Sequence, residues 1–471
     1  MSHREEEMIS CKNLSFRYAM GKEPVFSDLS LTVKKGEAVL LMGPSGCGKS
    51  TLAYCLAGLY PEYAGELEGE ILLEGENLSS YGPSKRSQTV SILFQNPDNQ
   101  FCMDRVAHEV LFALENINYE GNLQGRTEEL LSLAELSHAA ESPIYTLSGG
   151  MKQKLALCTA LATGANMLIL DEPFANLDKE ACASLSDLLR RMNEQGLTLL
   201  VVDHRLDWWK PFLSRIILFE KTGSLDEAAI TPEEIWKKRE EFTARGLFYD
   251  DSWLKDKHPP EILQGAKPMV QAENLTLFHD RKPFLSNLTF EMAQGSVTSL
   301  VGSCGSGKTT LLQTIAGIGR CRGKLLIGGR AGLVFQNPRF QFLSLSVEEE
   351  ILMTLRVAKP KETQEKLKEE TESFLVEFGL LEWKEQSPYA LSQGQQRRLA
   401  LLAMLAGDCP LMLLDEPTYA QDERSTRFIL ELLERRVAQG LTVVMATHDL
   451  ALAKACSNQM LLLEEGKLRP L

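Results

Sequence analysis

Two glycine-rich segments of the chain have the residue types and spacing that bind phosphate groups. The first reads Gly43-Pro-Ser-Gly-Cys-Gly-Lys-Ser and the second reads Gly302-Ser-Cys-Gly-Ser-Gly-Lys-Thr, and both match G-x-x-x-x-G-K-[ST]. Glycines let successive backbone N–H groups face phosphate oxygens, and the dipole of the following helix adds positive potential. We expect each lysine to reach the β- and γ-phosphates of ATP, and the hydroxyl after it to bind Mg²⁺. The predicted ATP-binding residues are Gly43, Pro44, Ser45, Gly46, Cys47, Gly48, Lys49, Ser50 and Thr51 in the first copy, and Gly302, Ser303, Cys304, Gly305, Ser306, Gly307, Lys308, Thr309 and Thr310 in the second.

Two carboxylate pairs follow apolar runs that predict parallel strands buried on both faces. Asp171-Glu172 ends one run and Asp415-Glu416 ends the other. Ligands bind at the carboxyl ends of such strands, so we expect the aspartates to hold Mg²⁺ through water and the glutamates to polarise the attacking water. Either pair alone could be two acids at a strand end, and the upstream phosphate-binding segments favour the catalytic interpretation.

A histidine ends a further apolar run in each copy. His204 and His448 each lie 33 residues after the aspartate of their copy. A lone histidine at such a position is more often structural, but the equal spacing favours a sensor of the γ-phosphate.

Cys47 and Cys304 lie inside the two phosphate-binding segments. A neighbouring lysine and a helix N-terminus both favour the thiolate form. This predicts that alkylation blocks ATP hydrolysis and that MgATP protects, the alternative being an inert, shielded thiol.

The elements that must position these residues occur twice along the chain. An apolar strand precedes each phosphate-binding segment and a helix follows its lysine. Ser148 and His204 are 56 residues apart, as are Ser392 and His448. The equal spacing indicates a duplicated domain. Between the lysine and a recurring Phe-Gln-Asn-Pro the second copy is 18 residues shorter, which predicts a smaller β-subdomain.

The composition is ordinary for a globular protein of more than one domain. The 471 residues are 44% apolar and 24% charged, with a net charge of −14. A nucleic-acid-binding protein usually has a basic footprint, so we expect no nucleic-acid partner. No apolar run is long enough for a membrane span and no secretion signal is visible, so we expect a cytoplasmic chain whose ten cysteines are reduced. We place domain 1 at residues 1–250, a linker at 251–267 and domain 2 at 268–471.

With these motifs in hand, the chain resembles a tandem ATP-binding-cassette ATPase. The most specific match is to the family's signature, at Leu147-Ser-Gly-Gly and Leu391-Ser-Gln-Gly. The resemblance implies an α/β fold with two P-loop cassette domains, each a RecA-like parallel-sheet core with an antiparallel β-subdomain and a helical signature subdomain. It also implies two composite ATP sites, each completed by the signature of the other cassette. The signature residues are Ser148, Gly149 and Gly150 in domain 1 and Ser392, Gln393 and Gly394 in domain 2.

The resemblance assigns further roles. Gln95 and Gln336 would touch Mg²⁺, and Asp178 and Asp422 would lie in the loop that links the two sites. Tyr18 matches the adenine-stacking aromatic residue. In domain 2 either His279 or the adjacent Phe278 could stack, and which ring does so stays open. The signatures differ from the family pattern at Met151 and Gln393, so we expect two competent but unequal sites.

The region after each glutamine is similar to that of energy-coupling-factor ATPases. These drive uptake of vitamins or metal ions with an integral T subunit and a substrate-binding S subunit, which implies a location at the cytoplasmic face of the membrane. Asp104 and Glu109 are then candidate partners for arginines of the T subunit, the alternative being that both acids face solvent. A ribosome-binding tandem cassette and a tandem sugar importer are the other possibilities. The acidic stretch 222–268, with a net charge of −3, disfavours a ribosomal partner.

Overall fold

The computed structural model divides the chain into two compact units, Met1–Tyr249 and Asp250–Leu471. It describes residues 7–471 except 20, 22, 45, 63, 175, 176, 178, 204, 205, 221–223, 245–250, 262–264, 280, 281, 304, 419–422 and 465, with backbone alone at 226–229, 239, 244, 251, 252, 256, 279, 423 and 424.

The strands of the first unit form a small antiparallel sheet and a larger, mostly parallel sheet. The small sheet has the order β2-β1-β4-β5 and the larger sheet β10-β9-β3-β8-β7-β6. Only β10 is antiparallel in the larger sheet. The strands are β1 (Glu7–Tyr18), β2 (Phe26–Lys34), β3 (Ala38–Met42), β4 (Gly65–Leu73), β5 (Glu76–Asn77), β6 (Val90–Leu93), β7 (Met167–Asp171), β8 (Thr198–Val202), β9 (Arg215–Phe219) and β10 (Leu225–Ile230).

Helices cover the larger sheet of the first unit. They are α1 (Lys49–Leu56), α2 (Pro83–Ser87), α3 (Val106–Asn116), α4 (Leu123–Leu133), α5 (Gly149–Ala162), α6 (Lys179–Glu194), α7 (Pro232–Lys237) and α8 (Arg239–Ala244). In β3, Leu40 packs in the core beneath α3 and α5, whereas Leu41 packs in the core shared with the small sheet. Every residue of β3 is buried because both faces of the strand are covered.

The second unit repeats this strand order. Its larger sheet reads β15-β16-β17-β13-β18-β19 and its small sheet β12-β11-β14. The strands are β11 (Pro268–His279), β12 (Lys282–Ala293), β13 (Val297–Val301), β14 (Cys321–Ile327), β15 (Ala331–Val334), β16 (Leu411–Asp415), β17 (Thr442–Thr447), β18 (Gln459–Glu464) and β19 (Lys467–Pro470). The helices are α9 (Lys308–Ile315), α10 (Val347–Ala358), α11 (Gln364–Glu377), α12 (Gln393–Ala406), α13 (Glu423–Ala438) and α14 (Leu450–Cys456).

The architecture confirms the predicted α/β class, with a parallel core sheet, an antiparallel β-subdomain and a helical subdomain in each unit. Between β14 and β15 the described chain has no counterpart of β5 and α2, which accounts for most of the shorter second copy. Part of the stretch expected to be linker packs with the second unit, because Leu254 is buried in its core. Among the described residues, we find no helix with the length and apolar character that a membrane crossing requires.

Candidate functional site

Each phosphate-binding segment forms a tight loop between a buried strand and a helix. The loops join β3 to α1 and β13 to α9, and Gly48 and Gly307 precede the helices with φ of +111° and +105°. At Gly48 an added Cβ would lie 2.7 Å from Val25 Cγ1, and at Gly43 it would lie 2.4 Å from the Phe219 carbonyl oxygen. Gly48 therefore requires glycine both for its left-handed backbone and for close packing, whereas Gly43 requires it for close packing alone.

The lysine of each loop is buried and held by the loop itself. Lys49 Nζ donates to the carbonyl oxygens of Gly43 and Pro44, both at 2.8 Å. Lys308 Nζ donates in the same way to Gly302 at 2.8 Å and Ser303 at 3.0 Å. Each loop thus carries a fixed positive charge beside a helix N-terminus, which suits a bound polyphosphate.

A hydroxyl and a carboxylate meet beside each loop. Ser50 Oγ donates to Asp171 Oδ1 at 2.9 Å, and Thr309 Oγ1 donates to Asp415 Oδ2 at 2.8 Å. These oxygen ligands come from residues far apart in sequence and are the type that Mg²⁺ prefers, so the residues fit the expected ion. Burial raises the pKa of Asp171 to about 7, with the Glu172 charge adding to the effect, and burial also raises the pKa of Asp415.

Tyr54 is a site residue that the sequence analysis missed. Its hydroxyl donates to Asp171 Oδ2 at 3.1 Å, and burial raises its own pKa. The signal was available, because Tyr54 lies four residues after Ser50 on the same face of α1. The second unit has Gln313 at the corresponding position.

The two glutamates after the aspartates share an unusual backbone. Glu172 and Glu416 both have φ of +48°, a left-handed conformation that is rare for residues other than glycine. Their backbone N–H groups donate to Val202 at 2.8 Å and Ala446 at 2.9 Å, which fixes the turn. Strained residues of this kind concentrate at functional sites, and here the same strain occurs in both copies.

Polar side chains contact these glutamate carboxylates. Gln95 Nε2 donates to Glu172 Oε2, and His448 Nδ1 lies 3.0 Å from Glu416 Oε2. The structure therefore brings together the predicted Gln95, Asp171 and Glu172 in domain 1. In domain 2 it brings together Asp415, Glu416 and His448, while the Gln336 backbone carbonyl accepts a hydrogen bond from Arg397 at 2.6 Å.

The signature serines begin helices. Ser148 Oγ accepts from the Met151 N–H at 3.3 Å at the start of α5, and Ser392 Oγ accepts from the Gln395 N–H at 3.4 Å at the start of α12. The Gln395 side chain in turn accepts from the Ser392 N–H at 2.9 Å, completing a capping box. Both signature motifs therefore lie at the N-terminus of a helix, and helix N-termini can bind anions.

Tyr18 lies beside the first phosphate-binding loop. It is 39% exposed, and its hydroxyl is 2.8 Å from Thr51 Oγ1. In the second unit the Phe278 ring lies 5.4 Å from the Arg322 guanidinium. The His279 side chain is outside the described residues, as are the predicted site residues Ser45, Asp178, His204, Cys304 and Asp422.

Glu109 is not available to a cationic partner, so its predicted docking role is wrong. It is 4% exposed, and its Oε2 accepts from the backbone N–H groups of Cys102 at 2.9 Å and Met103 at 2.7 Å. In domain 2 the carboxylate of Glu350 accepts the corresponding hydrogen bonds from the backbone N–H groups of Leu343 and Ser344. The side chain of Asp104 is 83% exposed and lies near only His108, at 3.8 Å, among the described ion pairs.

The predicted thiolate character of Cys47 is also wrong. The Cys47 thiol is buried, and this burial raises its pKa although Lys49 opposes the shift. A buried neutral thiol is a poor nucleophile.

Comparisons with known proteins agree with this geometry. The family model described as "ABC transporter" matches residues 26–175 and 285–419. The "Putative HMP/thiamine import ATP-binding protein YkoD" of Bacillus subtilis (strain 168) is 33% identical, covering 98% of this chain and 91% of the relative. A "Putative ABC transporter ATP-binding protein" of Methanosarcina mazei is 32% identical, covering 98% and 94%.

Solved structures match the fold at lower identity. A "Model of ribosome-bound archaeal Pelota and ABCE1" gives a TM-score of 0.68 at 19% identity, covering 97% of this chain and 78% of the other. An "RNase-L Inhibitor" structure gives 0.61 at 22% identity, covering 98% and 90%. At these identities the likeness concerns the fold alone.

Proposed function

The chain belongs to the ABC transporter family and is an ATP-hydrolysing enzyme, and we propose that it is the motor subunit of an energy-coupling-factor importer for a vitamin or a metal ion. The observation that carries the proposal is the 33% identity, over 98% of the chain, to a relative named for HMP and thiamine import. Because that match spans both cassettes, it concerns the tandem arrangement as well as a single ATPase domain.

The site residues divide the work of hydrolysis. Lys49 and Lys308 place positive charge at the phosphates, and the Ser50–Asp171 and Thr309–Asp415 pairs would hold Mg²⁺. MgATP would supply the phosphoanhydride bond that is hydrolysed, and the ion would partly neutralise the negative charge of the phosphate oxygens. Glu172 and Glu416 orient water and accept its proton at the carboxylate.

The glutamate of each domain has its own orienting contact. In domain 1 the Gln95 amide holds the Glu172 carboxylate, and in domain 2 His448 holds that of Glu416. A carboxylate that is held in one orientation by a hydrogen bond can accept a proton from a water at a defined position. This supports its assignment as the base.

We propose that two composite ATP sites form from the two cassettes of one chain, as the family resemblance implies. The signature that begins at Ser392 would complete the site of Lys49, and the signature that begins at Ser148 would complete that of Lys308. Gln393 replaces a glycine in one signature only, so the two sites should hydrolyse ATP at different rates.

The proposed partners are an integral T-type coupling protein and a substrate-binding S-type protein, with the chain at the cytoplasmic face of the membrane. Asp104 remains a candidate contact because its carboxylate is exposed. A ribosomal function is less favoured, since the likeness to the ribosome-bound structure is only 19% identical and the acidic stretch 222–268 would repel RNA phosphates.

An uptake experiment tests the proposal. Cells lacking the gene receive the wild-type chain or the variant Glu172→Gln/Glu416→Gln, and uptake of labelled thiamine, its pyrimidine precursor, Co²⁺ and Ni²⁺ is measured. We expect wild type, and not the variant, to restore uptake of one of these substrates. Restoration by the variant would remove the motor role, and co-sedimentation of the chain with ribosomes but not with membranes would favour the ribosomal alternative.

A further inference from the structure

The Asp171 carboxylate of domain 1 is held at both of its oxygens. Oδ1 accepts a hydrogen bond from Ser50 at 2.9 Å, and Oδ2 accepts one from Tyr54 at 3.1 Å. In domain 2 the Asp415 carboxylate accepts from Thr309 at 2.8 Å, and no second donor to it lies among the described residues. Donors on both oxygens fix the orientation of a carboxylate, whereas a single donor leaves it more rotational freedom.

The helices that carry Tyr54 and Gln313 have matching backbones, so this difference arises from one side chain. The Tyr54 carbonyl oxygen accepts from the Leu59 N–H at 2.9 Å, just after the end of α1. The Gln313 carbonyl oxygen accepts in the same way from the Ile318 N–H at 2.9 Å, just after the end of α9. The side chain at this position therefore decides whether the aspartate has a second donor.

Packing of the Tyr54 ring fixes the place of its hydroxyl. The ring centroid lies 5.4 Å from that of Tyr60 and 5.7 Å from that of Phe94, and both pairs meet edge to face. Within the described part of the chain, the hydroxyl makes its hydrogen bond to Asp171 alone. A phenylalanine would fill the same space, so packing explains the ring and Asp171 explains the hydroxyl.

We propose that Tyr54 is a positioning residue that presets the Asp171 carboxylate for Mg²⁺, so that Mg²⁺ strengthens nucleotide binding more in domain 1 than in domain 2. The inference rests on the Mg²⁺ role proposed above for the two hydroxyl–aspartate pairs, and it is independent of the transported substrate and of the membrane partner.

The direction of the effect follows from preorganisation. A group that hydrogen-bonds to a metal ligand orients that ligand before the ion binds, and its loss typically lowers metal affinity by about 10–100-fold. A ligand that is already oriented loses less freedom when the ion binds, which strengthens binding. Domain 1 has such a group in Tyr54, and Gln313 makes no described hydrogen bond to Asp415.

The ratio of nucleotide affinity in Mg²⁺ to nucleotide affinity in EDTA tests the inference, because it isolates the contribution of the ion. Mant-labelled AMPPNP, a fluorescent analogue that is not hydrolysed, is titrated into the full chain carrying Lys308→Ala, so that domain 1 binds the nucleotide. Tyr54→Phe removes the hydroxyl and keeps the ring, and Tyr54→Gln supplies the residue of domain 2.

Tyr81→Phe is the matched control in the same background. Tyr81 is buried in domain 1, and its hydroxyl donates to the Leu73 carbonyl oxygen at 3.0 Å. The substitution therefore removes one tyrosine hydroxyl and its hydrogen bond without touching Asp171.

We expect both Tyr54 variants to lower the ratio by about tenfold while the affinity in EDTA stays unchanged. The control should keep the ratio of the Lys308→Ala chain. In a chain carrying Lys49→Ala, where domain 2 binds the nucleotide, the ratio should already lie about tenfold below that of domain 1.

The contrary results are distinct. An unchanged ratio in Tyr54→Phe, or equal ratios in the Lys308→Ala and Lys49→Ala chains, overturns the inference and leaves the Mg²⁺ role intact. An equal loss of affinity in Mg²⁺ and in EDTA also overturns it, because the hydroxyl would then support the structure of the site and not the ion. A ratio near one in both single-lysine variants removes the proposed Mg²⁺ role together with the inference.

Discussion

Replacing Arg397 with glutamine should loosen the contact between the signature helix and the glutamine loop of domain 2. Arg397 is 2% exposed and lies in α12, which begins at the signature serine. Its guanidinium donates to the backbone oxygens of Phe335 at 2.8 Å and Gln336 at 2.6 Å. A single buried cation therefore joins the helix to the loop that follows β15.

The size of the effect follows from these two bonds. A hydrogen bond to a charged group contributes about 1.5–3 kcal/mol, and the Arg397 guanidinium makes two such bonds to partly buried carbonyl groups. The two bonds share one side chain and do not add fully, so we expect the free energy of unfolding of domain 2 to fall by about 3 kcal/mol.

Domain 1 indicates what a glutamine does at this position. Gln153, like Arg397, lies five residues after the signature serine and is 1% exposed. Neither polar atom of its side-chain amide has a hydrogen-bond partner in the described part of the chain. Glutamine thus fits the space without supplying the contacts, and the reciprocal Gln153→Arg should stabilise domain 1.

Differential scanning calorimetry of the full chain measures both changes. About 3 kcal/mol should lower the domain 2 midpoint by roughly 6–12 °C in a domain of this size. Arg469→Gln is the control, because Arg469 forms an exposed pair with Glu464 and should change stability by no more than about 0.5 kcal/mol. If Arg397→Gln melts like this control, the two hydrogen bonds from Arg397 do not fix the loop.

The double variant Glu172→Gln/Glu416→Gln should lower steady-state ATP hydrolysis by about 10²–10⁴-fold while retaining nucleotide, and a wild-type rate would contradict the assignment of these bases. Asp171→Asn should raise the melting midpoint of the nucleotide-free chain, and more so as pH rises from 5 to 7. The pKa of Asp171 is raised to about 7, so ionisation costs stability between its unfolded-state pKa and that value; a pH-independent gain would refute this. Glu109→Ala should destabilise domain 1 by about 2–4 kcal/mol, because two backbone N–H groups lose their acceptor. Asp104→Lys should leave unfolding unchanged but weaken recovery with membranes, and similar unfolding of these last two variants would argue against the buried acceptor.

The sequence predicted the parts of the site that backbone geometry imposes. A glycine loop between strand and helix leaves few ways to arrange Lys49, and Asp171 must end its strand where the loop lies. For Glu109 the acidic side chain alone does not indicate exposure, because its position in the helix decides where it lies. It shares the face of α3 with Val106 and Val110, so a period of 3.6 residues places it on the buried side. Cys47 differs, since no spacing reveals that its thiol points into the core.

The two domains have diverged unevenly, which bears on how the chain works. The lysine contacts, the hydroxyl–aspartate pair and the left-handed glutamate occur in both. The differences lie in the side chains around this shared frame. Tyr54 contacts Asp171 where domain 2 has Gln313, Gln95 contacts Glu172 whereas His448 contacts Glu416, and Arg397 in α12 corresponds to Gln153 in α5. Because the asymmetry reaches the carboxylates as well as the glutamine loops, it favours two sites that hydrolyse ATP at different rates over a difference confined to partner contacts.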